Sequence, residues 1–112
     1  MSQITTHILD TSKGQPAKGI TITLQQKNGT RWEKLGQGIT DDDGRIGDLL
    51  AEEKVLPAGL YRMIFETGPY FAKQKTKTFY PEVTILFETF DSKHYHVPLL
   101  LNPFGYSTYR GS

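Results

Sequence analysis

Histidine is the side chain that changes charge near neutral pH, and this chain carries three, at positions 7, 94 and 96. His7 follows an alternating pattern in which Ile4 and Ile8 share one strand face and Thr5, His7 and Leu9 share the other. The same period places Val97, Leu99 and Leu101 on one face and His96, Pro98 and Leu100 on the opposite one. With the aliphatic set turned into a core, His7 and His96 both point outward, on a face that also shows Leu9, Pro98 and Leu100. An outer face with that much apolar surface needs a cover. A partner subunit would supply one, and imidazoles beneath it would line a partly dry cavity. Two further features stand out. Arg45 follows the acidic run Asp41-Asp42-Asp43-Gly44 and reads locally as a solvated charge. The closing run Tyr106-Ser107-Thr108-Tyr109-Arg110-Gly111-Ser112 stays aromatic and strand-like where chain ends usually fray, so something should hold it in place.

Other chemistries fit less well. His94 and His96 have the i, i+2 spacing that can place two imidazoles on one metal, but zinc needs three or four ligands and nothing nearby completes the set. No metal is expected. The run at 41–44 is a poor calcium loop, because Ile39 and Leu50 occupy the first and twelfth loop positions. Gly36-Gln37-Gly38 lacks the third glycine of a dinucleotide fingerprint and is not followed by a helix, so it reads as a bulge or bend.

The elements that must position these residues are mostly strands. Period-two alternation or β-rich composition marks 4–9, 20–25, 32–38, 59–66, 83–90, 95–101 and 105–110, with 46–50 as a possible short eighth. Turn formers separate them, including Lys13-Gly14-Gln15-Pro16, Lys27-Asn28-Gly29 and Leu56-Pro57-Ala58-Gly59. Seven or eight short strands in a chain of this length predict an all-β antiparallel sandwich of two sheets. One short helix is predicted over 67–75, with Thr67 capping its start, Pro69 in its first turn and Lys73 and Lys75 near its end. At about two turns it must dock on the sandwich to persist.

Composition narrows the function. The chain has 112 residues and a net charge of +1, which fits one uninterrupted domain over 1–112 and is too balanced for affinity built on phosphate neutralisation. The absence of cysteine removes disulfides, thiolate nucleophiles and sulfur-ligated zinc. No apolar run reaches the ~20 residues of a membrane-spanning helix, and the first twelve residues lack a signal-peptide pattern. A cytoplasmic protein is expected, with neither nucleic acid nor membrane as partner. Hydrophobic residues make up 37%, modest for a small domain, so burial shared between subunits would help.

Several motifs together closely resemble the transthyretin-like family of 5-hydroxyisourate hydrolases, enzymes of urate breakdown. They are Thr6-His7-Ile8-Leu9-Asp10, Pro16-Ala17, Asp43-Gly44-Arg45, Tyr95-His96-Val97-Pro98-Leu99-Leu100-Leu101 and the closing Tyr109-Arg110-Gly111-Ser112, and they span essentially the whole chain. The closing tetrapeptide is the most discriminating, since transthyretin itself lacks it. The resemblance implies a transthyretin-like sandwich of two four-stranded sheets, a homotetramer built as a dimer of dimers, and active sites in a channel between dimers. It implies no cofactor. It also implies that His7, Arg45, His96 and Ser112 are catalytic and that Tyr109, Arg110 and Gly111 bind substrate. His7 and His96 would act as a coupled acid–base pair, Arg45 would hold the substrate oxygens, Ser112 would position water or a histidine through its hydroxyl or terminal carboxylate, and Tyr109 would pack against the ring. Two other readings remain open at this point. A transthyretin-like carrier would bind a small aromatic ligand without chemistry, and an immunoglobulin-like adhesion or carbohydrate-binding module would share the strands but leave the ordered terminus unexplained.

Overall fold

Alternation decides the first strand, β1 (Ile4–Asp10), whose Ile4 and Ile8 are fully buried while Thr5, His7 and Leu9 remain half-buried on the other face. The computed structural model describes residues 2–112. Seven more strands follow: β2 (Gln15–Pro16), β3 (Thr21–Asn28), β4 (Arg31–Ile39), β5 (Gly59–Phe65), β6 (Val83–Thr89), β7 (Tyr95–Asn102) and β8 (Gly105–Thr108). They form two four-stranded sheets, in the orders β2-β1-β7-β8 and β4-β3-β5-β6. A continuous core joins Ile8, Leu99 and Leu101 of the first sheet to Ile22, Leu24, Met63 and Phe65 of the second. Each such side chain, fully withdrawn from water, contributes about 1.5–3 kcal/mol.

The second sheet is antiparallel throughout. In the first, β1 and β7 run parallel, with Thr5 opposite His96 and His7 opposite Pro98. A parallel pair cannot close through a hairpin, and here the whole second sheet lies between its two strands in sequence.

Four local expectations change. Residues 46–50 are not a strand; they form a loop that buries Leu49 and Leu50 over β4. Room for that loop explains Gly36 and Gly38: a Cβ on Gly36 would overlap the Leu49 carbonyl oxygen, and one on Gly38 would lie 2.8 Å from Cγ2 of Ile46. The register also shifts beside Gly36, so the bulge expected there is present. The eighth strand is instead β2, inside the supposed Lys13–Pro16 turn, where Gly14 at φ 65° folds the chain back to pair Leu9 with Pro16. The helix, α1 (Thr67–Lys73), ends earlier than expected, with Lys75 in the left-handed region at φ 56°. Thr67 lies inside the helix and is not its cap; its hydroxyl donates to the Tyr80 carbonyl at 2.6 Å, and Glu66 holds the N-cap position without a side-chain bond.

The helix does dock. Its Phe71 is buried in the core, and its Tyr70 hydroxyl donates to the carboxylate of Asp10 at 2.6 Å. Asp10 is fully buried at the end of β1 and also accepts from the Ser12 amide (3.0 Å) and hydroxyl (2.5 Å). Burial alone would raise its pKa, but the bonds from Ser12 and Tyr70 hold it below the usual carboxylate value. The Tyr70 phenol is pushed up to about 12 by burial and by donating to Asp10.

Candidate active site

The parallel register sets the site. Thr5, His7 and Leu9 share the outer face of β1 with His96, Pro98 and Leu100 of β7, so His7 and His96 are diagonal neighbours across the strand pair. Nδ1 of His7 and Nε2 of His96 lie 2.7 Å apart. The ring centroids are separated by 4.9 Å and the planes tilted by 26°, so the contact is nearly in-plane, nitrogen to nitrogen, and not a face-to-face stack. The Thr5 hydroxyl continues the chain of contacts. It lies 2.7 Å from Nδ1 of His96 and 2.8 Å from Nε2 of His94, which precedes β7 by one residue.

Arg45 arrives by a turn that the sequence shapes closely. The Asp41 side chain accepts from the amides of Asp43 (2.9 Å) and Arg45 (3.1 Å), and Gly44 sits at φ 71°. The Gly44 carbonyl accepts from the Ile8 amide at 2.9 Å, and a Cβ on Gly44 would lie 2.5 Å from the Ile8 carbonyl oxygen. Only glycine combines that left-handed backbone with so close an approach. The turn therefore docks on β1, where His7 and Arg45 form an isolated antiparallel bridge.

The closing residues dock on β7. Beyond β8, which ends two residues short of the expected 110, the Gly111 amide donates to the His96 carbonyl at 2.8 Å. A Cβ on Gly111 would lie 2.7 Å from Cδ2 of His96, so the ring itself occupies the space that any larger residue would need. The 41–47 turn and the tail thus cover part of the outer face within one subunit, and Pro98 is buried.

Between them lies a cavity of about 640 Å³ lined by His7, Arg45, His96, Tyr109, Gly111 and Ser112. Six of the seven residues singled out in the sequence therefore converge. Arg110 does not: its guanidinium lies 4.4 Å from the centroid of the Tyr95 ring, outside the cavity wall. Thr5, His94 and Asp41 also line the space. Sequence reasoning weighed His94 only as a metal ligand beside His96 and gave Thr5 and Asp41 no role in the site, although the i, i+2 spacings of Thr5 to His7 and of His94 to His96 carried the signal once both strands shared a face.

The electrostatics favour neutral imidazoles. Burial first, and the Arg45 cation second, hold the His7 pKa below its ordinary 6.5. His96 is lowered by burial, then by His7, Arg45 and His94. A neutral imidazole pair accepts protons, and a neighbouring guanidinium holds oxygens and stabilises oxyanions. No group of three or more metal-ligating side chains converges among the described residues.

Comparison with known proteins adds an independent line. The sequence profile of the HIUase/Transthyretin family matches residues 4–111. A 5-hydroxyisourate hydrolase of Salmonella typhimurium is 49% identical over 110 residues, covering 97% of this chain and 80% of the relative. Among solved structures, a Klebsiella pneumoniae 5-hydroxyisourate hydrolase superposes with a TM-score of 0.86 at 40% identity, over 99% of this chain and all of the other. Sea bream transthyretin in complex with thyroxine superposes with a TM-score of 0.90 at 33% identity, over 97% of this chain and 94% of the other.

Proposed function

The chain belongs to the HIUase/Transthyretin family, and from that membership and the cavity chemistry we infer that it hydrolyses 5-hydroxyisourate to 2-oxo-4-hydroxy-4-carboxy-5-ureidoimidazoline in urate degradation. The backbone does not separate hydrolase from carrier, since the transthyretin superposes as well as the enzyme. The observation that carries the enzyme reading is the His7–His96 hydrogen bond at 2.7 Å with Arg45 on the same cavity. A carrier holding a planar ligand is served by apolar walls and a few neutral donors, and gains nothing from two neutral imidazoles beside a cation.

The reaction breaks a ring carbon–nitrogen bond of amide type. It requires an activated water, a stabiliser for the tetrahedral oxyanion and a proton for the departing nitrogen. In this proposal His7 and His96 act as one unit that takes a proton from water and returns it to nitrogen. Arg45 holds the substrate oxygens and the developing negative charge. Tyr109 packs on the ring, Gly111 leaves room for the His96 imidazole to hold its place, and Ser112 positions the water. No cofactor enters the scheme. Arg110 fixes the tail against the Tyr95 ring.

We assign this activity to one domain over 1–112, acting in the cytoplasm as a homotetramer. No described helix is long and apolar enough to cross a membrane. Support for assembly comes from the edge strands β6 and β8 and their flanks, where Leu86, Phe90, Phe104 and Tyr106 are exposed. Light scattering at micromolar concentration should give about four times 12.7 kDa; a monomer would remove the tetramer. The activity itself is tested by following the ultraviolet decay of freshly generated 5-hydroxyisourate. The protein should accelerate it far above the spontaneous rate, and unchanged decay would leave the carrier reading.

A further inference from the structure

We propose that Thr5 and His94 extend the histidine pair into a proton relay running from Nε2 of His7 to Nδ1 of His94. The inference rests on the hydrolase reading and deepens it. Its basis is the unbroken series of short contacts His7 Nδ1 to His96 Nε2 (2.7 Å), His96 Nδ1 to Thr5 Oγ1 (2.7 Å) and Thr5 Oγ1 to His94 Nε2 (2.8 Å). Both nitrogens of His96 are engaged, so it cannot itself present a free nitrogen to water. Among the described residues the two ends left open are His7 Nε2 and His94 Nδ1, and both residues line the cavity.

The hydrogen-bond inventory permits two concerted arrangements. A neutral imidazole donates from one nitrogen and accepts at the other, and a hydroxyl donates once while accepting elsewhere. In the first arrangement His7 donates to His96, His96 donates to Thr5 and Thr5 donates to His94, which leaves His7 Nε2 unprotonated and His94 Nδ1 protonated. In the second every bond is reversed. Passage between them moves one proton's worth of charge along the series without leaving a charged imidazole on it.

Catalysis uses both. Water loses a proton to His7 Nε2 as its oxygen bonds to the substrate carbonyl carbon. The His7 Nδ1 proton passes to His96, the His96 Nδ1 proton to Thr5, the Thr5 proton to His94, and the His94 Nδ1 proton to solvent. When the carbon–nitrogen bond breaks, the departing nitrogen takes the proton on His7 Nε2, and the series reverses as His94 Nδ1 regains a proton from solvent. One water is added and no proton is gained or lost by the enzyme. The advantage is electrostatic. A pair working alone would have to hold an imidazolium in a half-buried site beside Arg45, the two influences that already disfavour protonation of His7 and His96. The other titratable or charged groups facing the series are Arg45 and Asp41 from the turn and, from the tail, Tyr109 and the terminal carboxylate of Ser112.

The test compares Thr5→Val, Thr5→Ser and His94→Gln in the intact protein. Thr5→Val removes the hydroxyl at nearly constant shape, and should lower kcat by about 10- to 100-fold with little change in KM, a typical span for losing one proton-transfer partner. Thr5→Ser should restore kcat to within a few-fold. His94→Gln should cost a similar factor, and the double variant no more than either single one. The solvent isotope effect on kcat, measured across mixtures of H2O and D2O, should curve in the unaltered protein and become linear in Thr5→Val, which a purely structural role would not produce. Full kcat in either Thr5→Val or His94→Gln, or losses that multiply in the double variant, would overturn the relay while leaving the hydrolase reading intact. An unaltered protein that fails to accelerate the decay would bring down both. Should Thr5→Val fail to fold, His94→Gln at its half-buried position decides alone.

Discussion

The two sheets share one core and differ in how their strands are joined. The sheet ordered β4-β3-β5-β6 is antiparallel throughout, with Asn28-Gly29 turning β3 into β4 and no pairing that spans as much of the chain as β1 with β7. Its polar contacts join amides, hydroxyls and single cations, such as Arg62 lying 4.2 Å over the Trp32 ring while donating to Gln25 at 2.6 Å. The sheet ordered β2-β1-β7-β8 joins the first and seventh strands in parallel, and among the described residues only there do imidazoles, a hydroxyl and a guanidinium meet. The difference teaches where this fold can host chemistry. A face drawn from both ends of the chain gathers side chains that no local hairpin could bring together, and the turn at 41–47 and the tail at 109–112 can each be fastened over it.

The sharpest way to break this comparison is to disturb both faces. Replacing His7, His96 or Arg45 by alanine should lower turnover by roughly 10²-fold or more, the scale of losing an acid–base group or an oxyanion partner. Arg62→Ala on the other sheet should leave turnover unchanged. The His7→Ala/His96→Ala double variant should lose less than the product of the single losses, because groups acting as a unit are not additive. Equal effects on the two faces, measured by steady-state kinetics, would dissolve the distinction.

A smaller effect is expected at the fastening of the tail. Gly111→Ala places a methyl against the His96 ring, so turnover should fall about tenfold with little change in thermal midpoint, since a 1 Å displacement is costly to catalysis. Deletion of residues 109–112 should lower turnover further and spare the midpoint. Parallel loss of stability and activity would make the tail an ordinary edge strand.

The pH dependence should be gentler still. Both imidazole pKa values lie below 6.5 in the folded protein, so the neutral pair persists as pH falls through 6.5, and the acid limb of kcat/KM should have its midpoint below that value. The same shift makes folding favour the neutral form. Its contribution to stability is present above 6.5 and is lost as pH falls from there through the lowered folded values.

The smallest effect on turnover belongs to the core side of the same strand. Tyr70→Phe removes a hydrogen bond to buried Asp10 and should cost about 1–3 kcal/mol in denaturant unfolding while leaving kcat unchanged. A fall in kcat would show that α1 and the site are coupled through β1.

Much of this was legible in the chain. Period-two alternation is plain where a strand buries one face, as in β1, β5 and β6, and it sorts His7 and His96 onto the outer face correctly, although β7 is buried on both faces over 95–99. The parallel pairing of β1 with β7 was not legible, since alternation gives a face and not a neighbour or a direction. Thr5 was given no role, and His94 was weighed only as a metal ligand, for that reason: their spacings are ordinary until Thr5 stands opposite His96. Residues 46–50 resemble a strand because a buried loop needs Ile46, Leu49 and Leu50 as much as a strand would. Thr67 has a capping side chain, yet the carbonyl of Tyr80 claims its hydroxyl. For Arg110 the motif names a residue but not its neighbour: its guanidinium lies over the Tyr95 ring and is not part of the cavity lining.

The parallel pair also sets a schedule for biosynthesis. The Thr6 hydroxyl on β1 bonds to the Val97 carbonyl, 91 positions later in the chain, and at ~5–20 residues per second a ribosome takes roughly 5–18 s to cover that distance. During that interval the antiparallel sheet can assemble from neighbouring strands, while β1 waits with one edge open and the short β2 covering the other. The nascent chain therefore exposes Ile4 and Ile8 longest at the strand that carries His7, and the segment at greatest risk of mispairing during synthesis is the one on which the active site is built.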